Sequence, residues 1–209
     1  TPVLARSFVS CPPLSGFVTG NPRRDRACAQ FNAAVLAEIR ELSRSGLQGV
    51  VLSGNWLNVF GAPELRTIAN PPRGNGSRLA APEMVASLGA TVDQLAALDL
   101  KVLIVAPVPV MRYDVPVCLA RRDADGCGVR RQLIEAQRRE VVRRLVELET
   151  GRPNVRVFDP LDALCDPGYC PAVRGGSILF ADDDHLTATA SRGLLPAARG
   201  SLAWAAESD

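Results

Sequence analysis

Short, nearly continuous apolar runs alternate along this chain with longer amphipathic stretches. Gln48 to Leu52, Lys101 to Ala106 and Asn154 to Phe158 are apolar almost throughout, the mark of strands buried on both faces of a parallel sheet. Between them the period changes to that of a helix. Arg26 to Ser45 places Phe31, Val35, Leu36, Ile39 and Leu42 on one side and ends at Gly46, where a C-cap glycine belongs. Pro82 to Leu98 and Val129 to Glu149 predict two further helices, and Thr187 to Glu207 a final amphipathic one. In the third, the arginines at 130, 131, 138, 139, 143 and 144 predict a solvated face. Pro2 to Phe8 predicts an early strand, and Ser177 to Phe180 is a short apolar segment.

Strand–helix alternation of this kind predicts an α/β fold with a doubly wound parallel sheet. Such sheets carry their sites beyond the carboxyl ends of the strands. The long irregular segments, 61–82, 107–127 and 159–176, follow strands and so fall on that side; the first is rich in Pro, Gly and Asn and long enough to be functional.

Composition adds limits. The 209 residues suffice for one domain, 1–209, with a sizeable core. The formal net charge of +2 gives no reason to expect a nucleic-acid partner. No apolar run reaches the roughly 18–20 residues of a membrane helix. The opening TPVLARSF has no charged n-region, so the sequence reads as starting within a domain or after a removed leader.

The six cysteines fall in close pairs: Cys11 with Cys28, Cys118 with Cys127, and Cys165 with Cys170. Reduced thiols and zinc ligation are alternatives, but no CxxC spacing occurs and there is only one histidine. Three local disulfides are the favoured reading, which places the chain in an oxidising compartment.

That one histidine, His185, stands three residues after Asp182 and just before a helix. A base working near neutral pH is most simply a histidine, and it needs a carboxylate to hold its tautomer. Asp182 can supply one from i−3 on a tight turn. Asp183 and Asp184 compete, although Asp184, adjacent to the ring, is expected to point elsewhere. A plain helix N-terminus, favoured by acidic residues, and a cation site remain open on the residues alone.

ADDDHLT, after a short apolar strand and before a C-terminal helix, resembles the last block of SGNH hydrolases. SCPPL at Ser10 to Leu14, VVLSGNW at Val50 to Trp56 and LCDPGYC at Leu164 to Cys170 extend the likeness to the SGNH domain fused behind a membrane acyltransferase-3 domain in O-antigen acetylase-like proteins. The resemblance implies a three-layer, flavodoxin-like doubly wound sheet. It also implies a Ser-His-Asp acyl-enzyme in which His185 is the base, Asp182 orients it, and Asn55 donates to the oxyanion, with Gly16 or Gly20 as a glycine donor. Trp56 would be pocket wall or core.

One departure stands out. The family serine sits in a GDS block after the first, central strand, and neither GDS nor GxSxG occurs here. The opening segment resembles the family's second strand, so the central strand and nucleophile would precede Thr1; Ser53 is a poor substitute.

The resemblance implies O-acetyl transfer from an acyl donor to a bacterial cell-surface polysaccharide. The setting is periplasmic, tethered through an upstream acyltransferase-3 domain, and no cofactor or metal is implied. Ester hydrolysis and non-catalytic carbohydrate binding are the alternatives.

Overall fold

The computed structural model describes residues 3–8, 11–15, 22–59 and 81–207. In chain order these form helix α1 (Pro22–Ser43), strand β1 (Gly49–Leu52), helices α2 (Trp56–Val59) and α3 (Ala81–Ala96), and strand β2 (Lys101–Val105). Next come two short helices, α4 (Val115–Leu119) and α5 (Ala124–Cys127), strand β3 (Val129–Arg130), and the long helix α6 (Arg131–Glu149). The last part holds β4 (Val155–Phe158), α7 (Leu161–Leu164), β5 (Tyr169–Cys170), β6 (Val173–Arg174), β7 (Ser177–Ile178), α8 (Ala188–Gly193) and α9 (Leu195–Ala206).

The three apolar runs form one small parallel sheet in the order β1-β2-β4, with Val50 opposite Val102 and Val102 opposite Val155. Successive side chains on a strand point to opposite faces. Leu52, Val102, Ile104 and Val155 therefore enter the larger core, with Leu88, Val92 and Leu95 of α3 and Val141, Leu145 and Leu148 of α6. Leu103 faces the other way and meets Trp204 and Ala205 of α9. Apolar residues on both faces explain why the strands read as nearly continuous hydrophobic runs.

Helix α9 comes so close to the start of β1 that only glycine fits at position 49. A β-carbon there would lie 2.9 Å from the Lys101 carbonyl oxygen and nearer still to that of Ala205. Both obstacles are backbone, so neither can turn aside. Gly49→Ala should cost roughly 3 kcal/mol, the upper end of what overpacking typically produces. An unchanged denaturant midpoint would show that α9 is not seated there.

Several sequence expectations need correction. Residues 3–8 form no strand; Val3 and Leu4 are exposed, and among the described residues no neighbouring strand takes up their backbone groups. A strand without a partner has nothing to offset the entropy of ordering it. Residues 177–180 do not join the parallel sheet. Ser177 and Ile178 fold back on Val173 and Arg174 across Gly175 and Gly176, both at positive φ as a two-residue hairpin turn requires. The segment 107–127 contains α4 and α5, started by the side chains of Asp114 and Asp123. The final helix is two, because Pro196 cannot continue the hydrogen-bond ladder. Most of the 61–82 segment lies outside the described residues.

Arg138 is also misread from the pattern. It is 2% exposed, not solvated, and reaches from α6 to Asp159 after β4 (3.2 and 2.6 Å) and to the carbonyl of Pro107 after β2 (2.6 Å). One guanidinium thus ties together the segments that leave two adjacent strands at their carboxyl ends. Its neighbours Arg143 and Arg144 do lie outside, paired with Glu140.

The three cysteine pairs are joined as disulfides: Cys11–Cys28, Cys118–Cys127 and Cys165–Cys170. They fit an extracytoplasmic compartment. Among the described residues no helix is long and apolar enough to cross a membrane.

Candidate active site

Residues 181–185 form a tight turn closed at both ends. The Ala181 amide donates to the His185 carbonyl at 2.7 Å, and Phe180 bridges Leu186. Thr187 then starts α8: its hydroxyl accepts from the Ala190 amide and donates to the Ile178 carbonyl.

Asp182 organises the interior of the turn. Its Oδ1 accepts the amides of Asp184 (2.9 Å) and His185 (2.7 Å), and its Oδ2 lies 2.8 Å from His185 Nδ1. One carboxylate thus sets both the backbone path and the ring, the local reason for a three-residue spacing. The ring also meets Asp184 Oδ1, 2.7 Å from the same Nδ1. Among the described residues none is hydrogen-bonded to Nε2, and the His185 side chain is 74% exposed.

Two segments from the sheet's carboxyl end hold the turn in place. After β2, the Met111 amide donates to the Asp183 carbonyl (2.7 Å) and the Val115 amide to that of Asp182 (3.3 Å). This segment is stapled by Cys118–Cys127. After β1, Asn55 Nδ2 donates to Asp184 Oδ2 at 2.6 Å. The next residue, Trp56, is fully buried and donates through Nε1 to the Val105 carbonyl, fixing the β1 exit against the end of β2.

The electrostatics follow from this packing. Burial opposes charge on the imidazole, but the Asp182 hydrogen bond and the charges of Asp184, Asp182 and Asp183 outweigh it and hold the His185 pKa above its ordinary value. Burial also works against an ionised Asp182, yet the amides of Asp184 and His185 and the imidazole together keep its pKa low. At Asp184 burial wins: with Asp183 and Asp182 adding repulsion, its pKa is raised despite the nearby ring. Two carboxylates on one nitrogen therefore differ, with Asp182 the firmly ionised one.

The structure joins Asn55, through Asp184 129 residues away, to the turn that holds Asp182 and His185. The expectation that Asp184 points elsewhere is wrong. It would hold on a strand, but the turn coils around Asp182 Oδ1 and brings the side chains of 184 and 185 to the same side. Trp56 is core. Ser53 is exposed and makes no hydrogen bond to His185. Ser10, Gly16 and Gly20 lie outside the described residues. Asp182, Asp184 and His185 offer three ligand atoms within 4.8 Å of one another, enough to touch one cation. Within this cluster Asp182 Oδ1 also accepts two backbone amides, and both carboxylates lie against His185 Nδ1.

Fold and site together define a mixed α/β domain with a parallel sheet and an Asp–His pair seated beyond the carboxyl ends of its strands. The chain belongs to the family of SGNH domains fused to AT3 domains, whose model matches residues 1–199. No curated protein and no solved structure matches it. Membership in this family points to acyl transfer or ester hydrolysis, and to a membrane acyltransferase domain as the fusion partner.

Proposed function

We propose that this chain supplies the acid–base half of a serine acyl-transfer site that moves an O-acetyl group to a bacterial cell-surface polysaccharide. The observation that carries the reading is His185 itself: Nδ1 is held by Asp182, and Nε2 is left facing outward at the sheet's carboxyl rim. A serine hydroxyl presented to Nε2 would lose its proton as the oxygen attacks the acyl carbonyl. The imidazolium then returns that proton to the leaving alkoxide. The acyl-enzyme ester is broken by a sugar hydroxyl, whose proton His185 removes and passes to the departing serine oxygen. In this reading Asn55, two contacts away, donates to the oxyanion of each tetrahedral intermediate. Among the described residues no strand pairs with the outer edge of β1, where Val51 is exposed, and that edge suits a further strand of a doubly wound sheet that would carry the serine.

The exposure of His185 leaves room for water as well as a sugar, so hydrolysis of the same acyl-enzyme is the second reading. Intact-mass analysis of the full-length protein after mixing with an acyl donor tests the shared chemistry. An adduct of one acetyl group on a serine is expected, formed in wild type and not in His185→Ala, and discharged faster by polysaccharide than by water. If no adduct forms and a chelator abolishes turnover, the site is a metal-dependent one and the serine reading fails.

A further inference from the structure

We infer that Asp184 is a positioning residue that links the general base to the oxyanion donor, holding the His185 ring through Oδ1 and the Asn55 amide through Oδ2. This rests on the proposed role of His185 as base. The two contacts are 2.7 and 2.6 Å, and they use different oxygens of one carboxylate, so Asp184 satisfies both partners at once. Asn55 and Asp184 are 129 residues apart, and among the described residues theirs is the hydrogen bond between side chains that joins the β1 exit to the histidine turn. Asp182, by contrast, spends one oxygen on its own turn's backbone and does not reach Asn55. The labour is divided: Asp182 shapes the turn and stays ionised, while Asp184 sets the distance between the turn and the strand end where the acyl carbonyl must lie.

The arrangement couples the two functions electrically. When His185 takes the serine proton, the positive ring draws on the Asp184 charge, and the amide on its other oxygen feels the change. Among the described residues, the charged groups acting on the ring belong to its own turn: Asp182, Asp183 and Asp184. The flanking segments bring the neutral Asn55 and the backbone amides of Met111 and Val115.

Because His185 is the only histidine, its imidazole can be titrated alone by NMR in this chain. Asp184→Asn should lower the midpoint by roughly 0.5–1 pH unit, as loss of one unit charge at contact distance in near-aqueous surroundings gives. In the full-length protein the acid limb of kcat/KM should move down with it, and the plateau should fall about tenfold, well short of the loss in His185→Ala. A side chain that only supported the fold would lower the melting temperature and leave the midpoint in place. In the wild type, independent of any variant, the Asn55 side-chain amide resonance should show a step at the His185 midpoint. No step there, or an Asp184→Asn midpoint equal to wild type while that of Asp182→Asn falls, overturns the linkage. Loss of activity in His185→Ala alongside either result leaves the base assignment standing, so the two ideas fail separately.

Discussion

His185→Ala is expected to lower ester turnover by the full-length protein on the order of 10³-fold, with little change in folding. General-base assistance contributes typically about 10²–10⁴-fold, and the exposed ring carries almost none of the core. Asp182→Asn should cost less, on the order of 10²-fold, because Asp184 remains 2.7 Å from Nδ1 as a second carboxylate. The pH dependence carries the same logic with a definite sign. A base must be neutral to accept a proton, and the neighbouring carboxylates favour the charged ring. The rate should therefore rise with pH through a midpoint above the ordinary histidine value of about 6.5. Steady-state rates against pH, on wild type and both variants, check this. Near wild-type turnover in both variants would remove the Asp–His pair from the mechanism.

The second large effect is on stability. Arg138→Ala should destabilise the chain by ~3 kcal/mol, the low end of the range for breaking a buried pair. The low end applies because Asp159 keeps 37% of its side chain in solvent and can rehydrate once its partner is gone. The Pro107 carbonyl, which accepts from the same guanidinium, loses its donor, and the buried stem leaves a void. At roughly 2–4 °C per kcal/mol for a chain of this size, the melting temperature should drop on the order of 10 °C. Arg139→Ala, one residue on and exposed, should stay within about 0.5 kcal/mol of wild type. Equal stabilities for the two variants would mean that Arg138 is not buried. Activity should also suffer, since Pro107 leads into the segment whose Met111 amide holds the Asp183 carbonyl.

Much of this was legible along the chain because the physics involved is local. A strand largely covered on both faces is apolar at most positions, so β1, β2 and β4 stand out within a residue or two of their ends. A three-residue gap between a carboxylate and a ring is spanned by one turn, so Asp182 and His185 could be paired on spacing alone. Cysteines 5 and 9 residues apart meet almost wherever the intervening loop goes. The block of motifs in order was enough to indicate the family.

What spacing could not reveal depends on side chains meeting from distant elements. Arg138 lies in a helix with four other arginines at 131, 139, 143 and 144, and nothing in the pattern separates the one that turns inward. Its burial is decided by Asp159 and Pro107, which only the packing of α6 across two strand ends brings within reach. The early segment 3–8 has a strand's composition, yet pairing is a property of neighbours and not of residues. Asp184 is the sharpest case. Adjacent side chains diverge in extended chain and converge in a coiled turn, and the amides that coil this turn are set by a single oxygen of Asp182. Its second partner, Asn55, arrives from the far end of β1, a meeting that no local preference encodes.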